Sequence, residues 1–370
     1  MVYMSSKKLA PFHADHVGSL LRPDVLKEAR RRYQRGQLSR ELLTELENEE
    51  IRRVVVRQQD LGLAAATDGE FRRAYWHFDF LEGLDGVEPF EAEDNGIHFQ
   101  GQTLQSHSIR VVKRLDFGRH PMLRHFAFLK EHASQALPKM TIPSPSMLHF
   151  RGEIQKTAYP DLDEFFSDLG RAYKKAIQAF YDLGCRYLQL DDTSWAYLCS
   201  TEQRAALEAR GWDLDAVQRR YANAINLALE DRPDDLTVTM HICRGNFRSA
   251  WIASGGYEPV AETLFGTVNV DGFFLEYDSE RAGGFEPLRF AVRPDLKIVL
   301  GLITSKSGVL EDADAIKRRI DEASRYVDGN RLALSPQCGF ASTEEGNLLT
   351  EEEQWAKLAH VARIAGEVWG

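Results

Sequence analysis

From about residue 135 onward, short runs of β-branched and aromatic residues alternate with longer stretches whose apolar positions recur every three to four residues. The first texture fits buried strands and the second amphipathic helices, so their alternation predicts repeated βα units around a parallel sheet. The predicted strands are PKMTIPS (138–144), YLQLDD (187–192), LTVTMHIC (236–243), GFFLEY (272–277), KIVLGLI (297–303) and RLALSPQC (331–338). Two earlier segments, HVGSL (16–20) and AATDGE (65–70), are flanked by helical patterns at 23–35 and 39–61, which brings the count to about eight units. Eight units predict an α/β fold of the TIM (β/α)8 barrel type. Asp161 with Glu164, Ser200 with Gln203 and Thr350 with Glu353 stand at capping-box spacing before apolar runs, where helices should begin.

Between the second and third predicted strands, residues 92–117 include GIHFQGQTLQSHSIRVVKRLDF, whose alternation and glycines predict a β-hairpin insertion. No internal repeat, low-complexity tract or Pro/Ser-rich linker divides the chain, so 1–370 reads as a single domain. Its 370 residues lie within the range of α/β barrels with insertions.

Composition narrows the function without choosing it. A net charge of -10 argues against nucleic acid, whose binding relies on clustered Lys and Arg. The opening MVYMSSKKLAPFHADH has no apolar run of leader length, and nothing later approaches a membrane span, so a cytoplasmic location and no membrane partner are expected. Four scattered cysteines are too few for a disulfide framework in a chain of this size. Their thiols are then available for metal. The sequence does not set the oligomeric state and leaves a homodimer open.

In an extended strand alternate side chains share a face, so His241 and Cys243 of MHIC can chelate one ion together. Glu276 closes GFFLE and Cys338 closes ALSPQC. The carboxyl ends of barrel strands are where active sites collect, and imidazole, thiolate and carboxylate are the donors zinc accepts. The bland alternative is that a buried Cys is a small core residue and a strand His a hydrogen-bonded one. Spacing does not choose between Glu276 and Asp278, which face the same way. Cys185 and Cys199 read as structural.

At these residues the sequence resembles the catalytic half of cobalamin-independent methionine synthase. The similarity runs through HVGSLLRP, TDGEF, LQLDD, MHIC, FLEYD and LSPQCGF. The resemblance implies Zn2+ held by His241, Cys243, Glu276 and Cys338, presenting homocysteine as a thiolate to the methyl group of 5-methyltetrahydrofolate. Coordination would remove a thiol proton whose pKa is ordinarily about 8.5. It further implies that Ser19 contacts the amino-acid backbone and Asp191 its amine, although Ser19 could cap a turn and Asp191 or Asp192 a helix. Glu70, Trp76 and His77 would line the pocket, as in short single-barrel relatives. Arg110 and Lys113 would meet a folate polyglutamate tail, or else form a solvated edge.

Departures from the family accompany the match. The second, folate-binding barrel of the long enzymes has no room in this chain. Thr304 stands where the family has a proton-donating histidine, Tyr197 replaces an acid, and Phe78 or Asp79 stands for a second amine-binding glutamate. Besides methyl transfer from a folate or another donor, the sequence therefore admits another zinc-dependent thiol alkyltransferase, such as one opening an epoxide with coenzyme M. A purely structural zinc site is the third reading.

Overall fold

The computed structural model describes residues 10–91, 96–105 and 107–370. Among them the strands, in chain order, are β1 (Ala65–Ala66), β2 (Asp85–Phe90), β3 (Gly96–Phe99), β4 (Gln102–Gln105), β5 (Ser108–Asp116), β6 (Leu137–Pro143), β7 (Gly152–Ile154), β8 (Tyr187–Asp192), β9 (Thr237–Ile242), β10 (Gly272–Glu276), β11 (Lys297–Ile303) and β12 (Leu332–Pro336). Seven of these form one curled, all-parallel sheet in the order β1-β6-β8-β9-β10-β11-β12. The six strands expected from residue 138 onward therefore stand where their patterns placed them, within two residues at each end. Every residue of β8, β9, β10 and β12 is buried, as in parallel sheets covered on both faces.

Helices cover the outer face. Leu162–Asp182 buries Phe165, Phe166, Leu169, Tyr173, Ala176, Ile177 and Phe180, a stripe at three- and four-residue spacing. Its start is capped by Asp161, which accepts from the Asp163 N–H, and Ser200 accepts from the Gln203 N–H. Thr350 and Glu353 make both bonds of a capping box.

The expected first strand, HVGSL, is displaced. Its pairing falls earlier, where Ala14 makes a single parallel bridge to Leu334 and the Asp15 N–H donates to the Leu334 carbonyl at 3.1 Å. Gly18 then turns the chain with φ +143, a conformation that L side chains rarely adopt, and a Cβ there would lie 2.7 Å from Thr141 Cγ2. That turn delivers Ser19 beside the segment after β12, whose Phe340 N–H donates to the Ser19 carbonyl at 2.9 Å.

The segment read as one hairpin insertion divides into more parts, and residues 92–95 and 106 lie outside the described residues. β3 and β4 pair antiparallel. β5 pairs antiparallel with β2 and parallel with β7, burying Ile109, Val111 and Leu115. Its alternation therefore marks one strand of a small three-stranded sheet. The signal missing from the sequence is β2, DGVEPF, whose proline and acidic residues mask a strand. Among the described residues no helix is long and apolar enough to cross a membrane.

Candidate functional site

The register of the sheet assembles the site. Asp191 of β8 lies directly beside His241 of β9, and Phe274 of β10 lies beside His241 on the other side. Two residues further on, Cys243 and Glu276 come together at the strand ends, and β12 brings Cys338. One donor atom from each of His241, Cys243, Glu276 and Cys338 lies within 4.8 Å of the others, and all four residues are buried.

The donors are mutually primed. Cys243 Sγ and Cys338 Sγ stand 3.4 Å apart, within hydrogen-bond reach of one another. Their hydrogen bond holds the Cys338 thiol below its ordinary pKa and pushes Cys243 up, as expected when two adjacent thiols cannot both ionise. Burial disfavours the Glu276 carboxylate, but the charges of Lys306, Arg281 and His241 outweigh it and keep the group ionised. Its oxygens accept from the Arg244 backbone N–H at 3.0 Å and from Arg281 at 3.2 Å. Burial also disfavours protonated His241, yet Asp191, Cys338 and Glu276 raise its pKa to about 9. Its Nδ1 is 3.3 Å from Asp191 Oδ1, and its Nε2 is 3.1 Å from the Gln337 carbonyl.

This donor set suits a soft divalent cation such as zinc. Two thiols, an imidazole and a carboxylate converge, and such an ion would displace the protons that the thiols and the imidazole hold. Asp278, the sequence's competitor for Glu276, stays outside the cluster, paired with Arg281 at 2.9 Å. Cys185 and Cys199 are also apart from it, and burial pushes their thiols up to about 12 and about 11.

A cleft opens onto the sulfurs, lined by Val17, Ser19, Glu70, Trp76, Asp191, His241, Cys243, Cys338, Gly339 and Ser342. Ser19 Oγ accepts from the Ala341 N–H at 3.3 Å. Glu70 takes the left-handed φ of 60, which turns its carboxylate into the sheet interior beside Asp191. Thr141 donates to its Oε1 at 2.7 Å, while its Oε2 is buried without a partner. Asp191 Oδ1 accepts from Gln189 at 2.8 Å. Asp192 faces elsewhere: it accepts from Ser144, Ser146, the Ser194 hydroxyl and the Trp195 N–H, locking the turn after β8.

An adjoining cavity shares the Trp76, Cys243 and Ser342 walls and adds His77, Arg151, Thr193 and Asn246. Ile97, Phe99 and Leu104 of the β3–β4 pair cover it. His77 is 3% exposed, stacks between Trp76 and Phe78, and has no partner for either ring nitrogen. Burial drives its pKa well down, so it is neutral.

Other sequence candidates lie outside these two cavities. Arg110 pairs with Glu88 at 2.6 Å and lies over Phe90, and Lys113 is on the same strand, β5. Thr304 donates its N–H to Glu311 at 2.8 Å and accepts from the Lys306 N–H at 3.3 Å. Phe78 is buried, and Asp79 accepts from the Ala74 and Tyr75 N–H groups. Tyr197 meets Phe150 edge-on beneath Arg151. Glu70 therefore stands as the second acid beside Asp191. Sequence reasoning also passed over Lys306, whose Nζ is buried without a partner, because SKSG reads as an ordinary polar loop.

Comparison with known proteins agrees with this geometry. Residues 12–366 match the family of the cobalamin-independent synthase catalytic domain. The Bacillus subtilis protein YxjH, itself uncharacterised, is 58% identical over 98% of this chain and 96% of its own length. A Listeria monocytogenes structure, provisionally named a vitamin-B12 independent methionine synthase, is 50% identical with a TM-score of 0.82, covering 98% of this chain and all of that one. A B12-independent methionine synthase from Shewanella sp. W3-18-1, in complex with selenomethionine, shares the fold at 18% identity and a TM-score of 0.74, over 97% of this chain and 98% of that one. The protein belongs to the cobalamin-independent methionine synthase family, through its catalytic domain.

Proposed function

We propose that this chain is a single eightfold βα barrel that catalyses zinc-dependent methyl transfer to the thiol of homocysteine, giving methionine. The observation that carries the reading is the union, in one cleft, of four soft and hard donors with two carboxylates. When bound, zinc would supply the Lewis acidity that keeps a substrate sulfur deprotonated at neutral pH.

The chain's own residues supply the rest. His241, Cys243, Glu276 and Cys338 would hold the ion, their donor atoms lying within 4.8 Å of one another. Two cysteines and a glutamate in the donor set would offset most of a divalent ion's charge, which would favour a nucleophilic sulfur over an activated water. Asp191 orients the His241 ring and offers negative charge to the substrate ammonium, as does Glu70 through its unpartnered Oε2. Ser19 marks where the amino-acid backbone would lie. Trp76 and the closed β3–β4 cover exclude water from the path between sulfur and donor. His77 and Arg151 face the side from which a methyl donor would approach, a methylated folate being the first candidate.

The two carboxylates disfavour the epoxide-opening alternative, because a thiol with an anionic sulfonate tail would be repelled where an ammonium is attracted. A structural zinc site is disfavoured by the open cleft against both sulfurs. The test is to incubate zinc-loaded protein with homocysteine and, separately, methylated folates, methylcobalamin, S-methylmethionine and short epoxides, following loss of free thiol and formation of methionine. Methionine formed with one methyl donor supports the reading. Thiol consumed only by an epoxide, or by nothing tested, overturns it.

A further inference from the structure

Besides the strand ends, three irregular segments wall the cleft at the sulfurs: one holds Ser19, one Glu70 and Trp76, and one Gly339 and Ser342. The middle segment departs furthest from ordinary backbone. Glu70 takes φ 60, and a residue with a Cβ stays in that region only where its surroundings over-determine it. Arg22 is the centre of those surroundings. It is 2% exposed, and its Nη2 donates to the Glu70 carbonyl at 2.8 Å and the Arg73 carbonyl at 3.2 Å. Its Nη1 donates to the Ala341 carbonyl at 2.6 Å and the Leu20 carbonyl at 3.4 Å, while its Nε is buried without a partner. Every acceptor is a cleft residue or stands close to one in the chain: Leu20 follows Ser19, Arg73 comes shortly before Trp76, and Ala341 precedes Ser342.

Backbone bonds close the same seam. The Glu70 N–H donates to Asp68 at 2.9 Å, the Leu20 N–H to the Gly69 carbonyl at 3.0 Å, and the Trp76 N–H to the Ser342 carbonyl at 3.0 Å. Two further arginines lie alongside. Arg30 donates to the Phe71 and Arg73 carbonyls and to Glu344, whereas Arg73 donates to Thr141 and pairs with Glu70 Oε1 at 3.4 Å. Of the three guanidinium groups, only that of Arg22 joins all three segments. A planar fork suits this task, because its two outer nitrogens face carbonyls on different segments at once, which a single ammonium does less well.

We propose that Arg22 is a positioning residue for the amine end of the cleft: by tying the Glu70 and Ala341 carbonyls together, it holds Glu70 in the left-handed turn that keeps its carboxylate in the cleft Asp191 also lines. Arg22 itself lines neither the cleft nor the adjoining cavity, so its effect passes through Glu70. This rests on the reading above, in which the two carboxylates meet the substrate ammonium.

The experiment titrates zinc-loaded wild type, Arg22→Ala and Arg22→Lys calorimetrically with homocysteine and with 4-mercaptobutanoate, which lacks only the amino group. Arg22→Ala should bind homocysteine roughly 10- to 100-fold more weakly, the size of one charged hydrogen bond lost. Its zinc content and its affinity for 4-mercaptobutanoate should hardly change. Arg22→Lys should lose nearly as much, since it keeps the charge but not the fork. Guanidinium ion added to Arg22→Ala should restore most of the homocysteine affinity, and sodium chloride at the same ionic strength should not. If Arg22→Ala does not fold, Arg22→Lys carries the comparison of the two thiols. Equal losses for both thiols, or zinc lost from each variant without recovery by guanidinium, would make the side chain a general structural tie and overturn the inference. Homocysteine affinity unchanged in both variants overturns it as well. A wild type that binds the two thiols equally overturns the reading beneath it, and this inference with it.

Discussion

Two clusters of buried charge lie inside the same parallel sheet, one at each end. At the amino-terminal edge, Lys139 donates to Asp15 at 3.2 Å, and Asp15 also accepts from the Tyr187 hydroxyl at 2.8 Å and the His16 and Phe12 N–H groups at 2.8 and 3.2 Å. The ammonium further lies over Phe274 and Tyr187, 4.2 and 4.7 Å from their ring centres. At the carboxyl edge, Glu70 Oε2, Lys306 Nζ and both His77 nitrogens have no partner. Both ends bury ions, but at the first Lys139 and both Asp15 oxygens are partnered, with the neutral His16 Nδ1 left over, whereas at the second a carboxylate oxygen and an ammonium have no partner. An unfilled buried valence costs stability. The difference separates charge tied into the sheet from charge left open at the cleft.

The largest effect expected is at the open end. Cys338→Ser and His241→Ala should each abolish thiol alkylation and strip the bound metal, because each removes a donor from a four-residue set. Unfolding of the metal-free variants should stay close to that of metal-free wild type. Metal analysis alongside denaturant melts checks both halves, and a variant that keeps metal and full activity would remove the site assignment.

Lys139→Met should do the reverse. It leaves Asp15 buried without its cation, which costs about 3–5 kcal/mol, while the protein that remains folded should bind metal and thiol normally. Adding Asp15→Asn should recover a good part of the loss. If urea midpoints for Lys139→Met match wild type, the closed network is not what holds that end together.

Asp191→Asn tests the border between the two kinds of charge, since this residue both lies 3.3 Å from His241 Nδ1 and lines the cleft. Loss of one charged hydrogen bond to an ammonium amounts to about 1.5–3 kcal/mol, or roughly 10- to 100-fold. The homocysteine requirement should rise by that factor relative to a thiol without the amino group. Equal losses for the two thiols would confine Asp191 to holding His241.

The four-residue donor cluster was legible because MHIC, FLE and SPQC end strands whose order follows the chain, so residues far apart in sequence meet by register. Asp191 was legible for the same reason. What strand alternation could not reveal lies on irregular backbone. Glu70 follows a strand of only two residues and takes φ 60, which breaks any inference from facing, so spacing did not reveal its place beside Asp191 and it entered only as a pocket-lining residue, while the family's second glutamate was read as replaced by Phe78 or Asp79. Lys306 sits in a loop whose position depends on Gln337, Gly339 and Asn347, contacts no local pattern encodes. The three-stranded sheet of β2, β5 and β7 was hidden likewise, because β5 pairs with segments on either side of it in the chain.

The smallest effect expected separates stability from function at one residue. Burial raises the pKa of Glu70 above its ordinary value, against the opposing pull of Arg73 and Thr141. A carboxyl whose folded pKa is raised favours the folded state below its unfolded pKa, and that contribution is lost as pH rises through the folded pKa. At neutral pH the ionised group therefore works against folding. Glu70→Gln should make the metal-loaded protein more stable at pH 7 to 8 by roughly 0.5–2 kcal/mol, with the gain fading as the pH falls through the raised folded pKa and gone below about 4.5. The same variant should bind homocysteine more weakly, because an amide cannot attract an ammonium as a carboxylate does. Melts across pH and thiol titrations on one preparation measure both. Stability unchanged at every pH would mean that Glu70 is already satisfied, and the open end would lose its clearest mark of a ligand site.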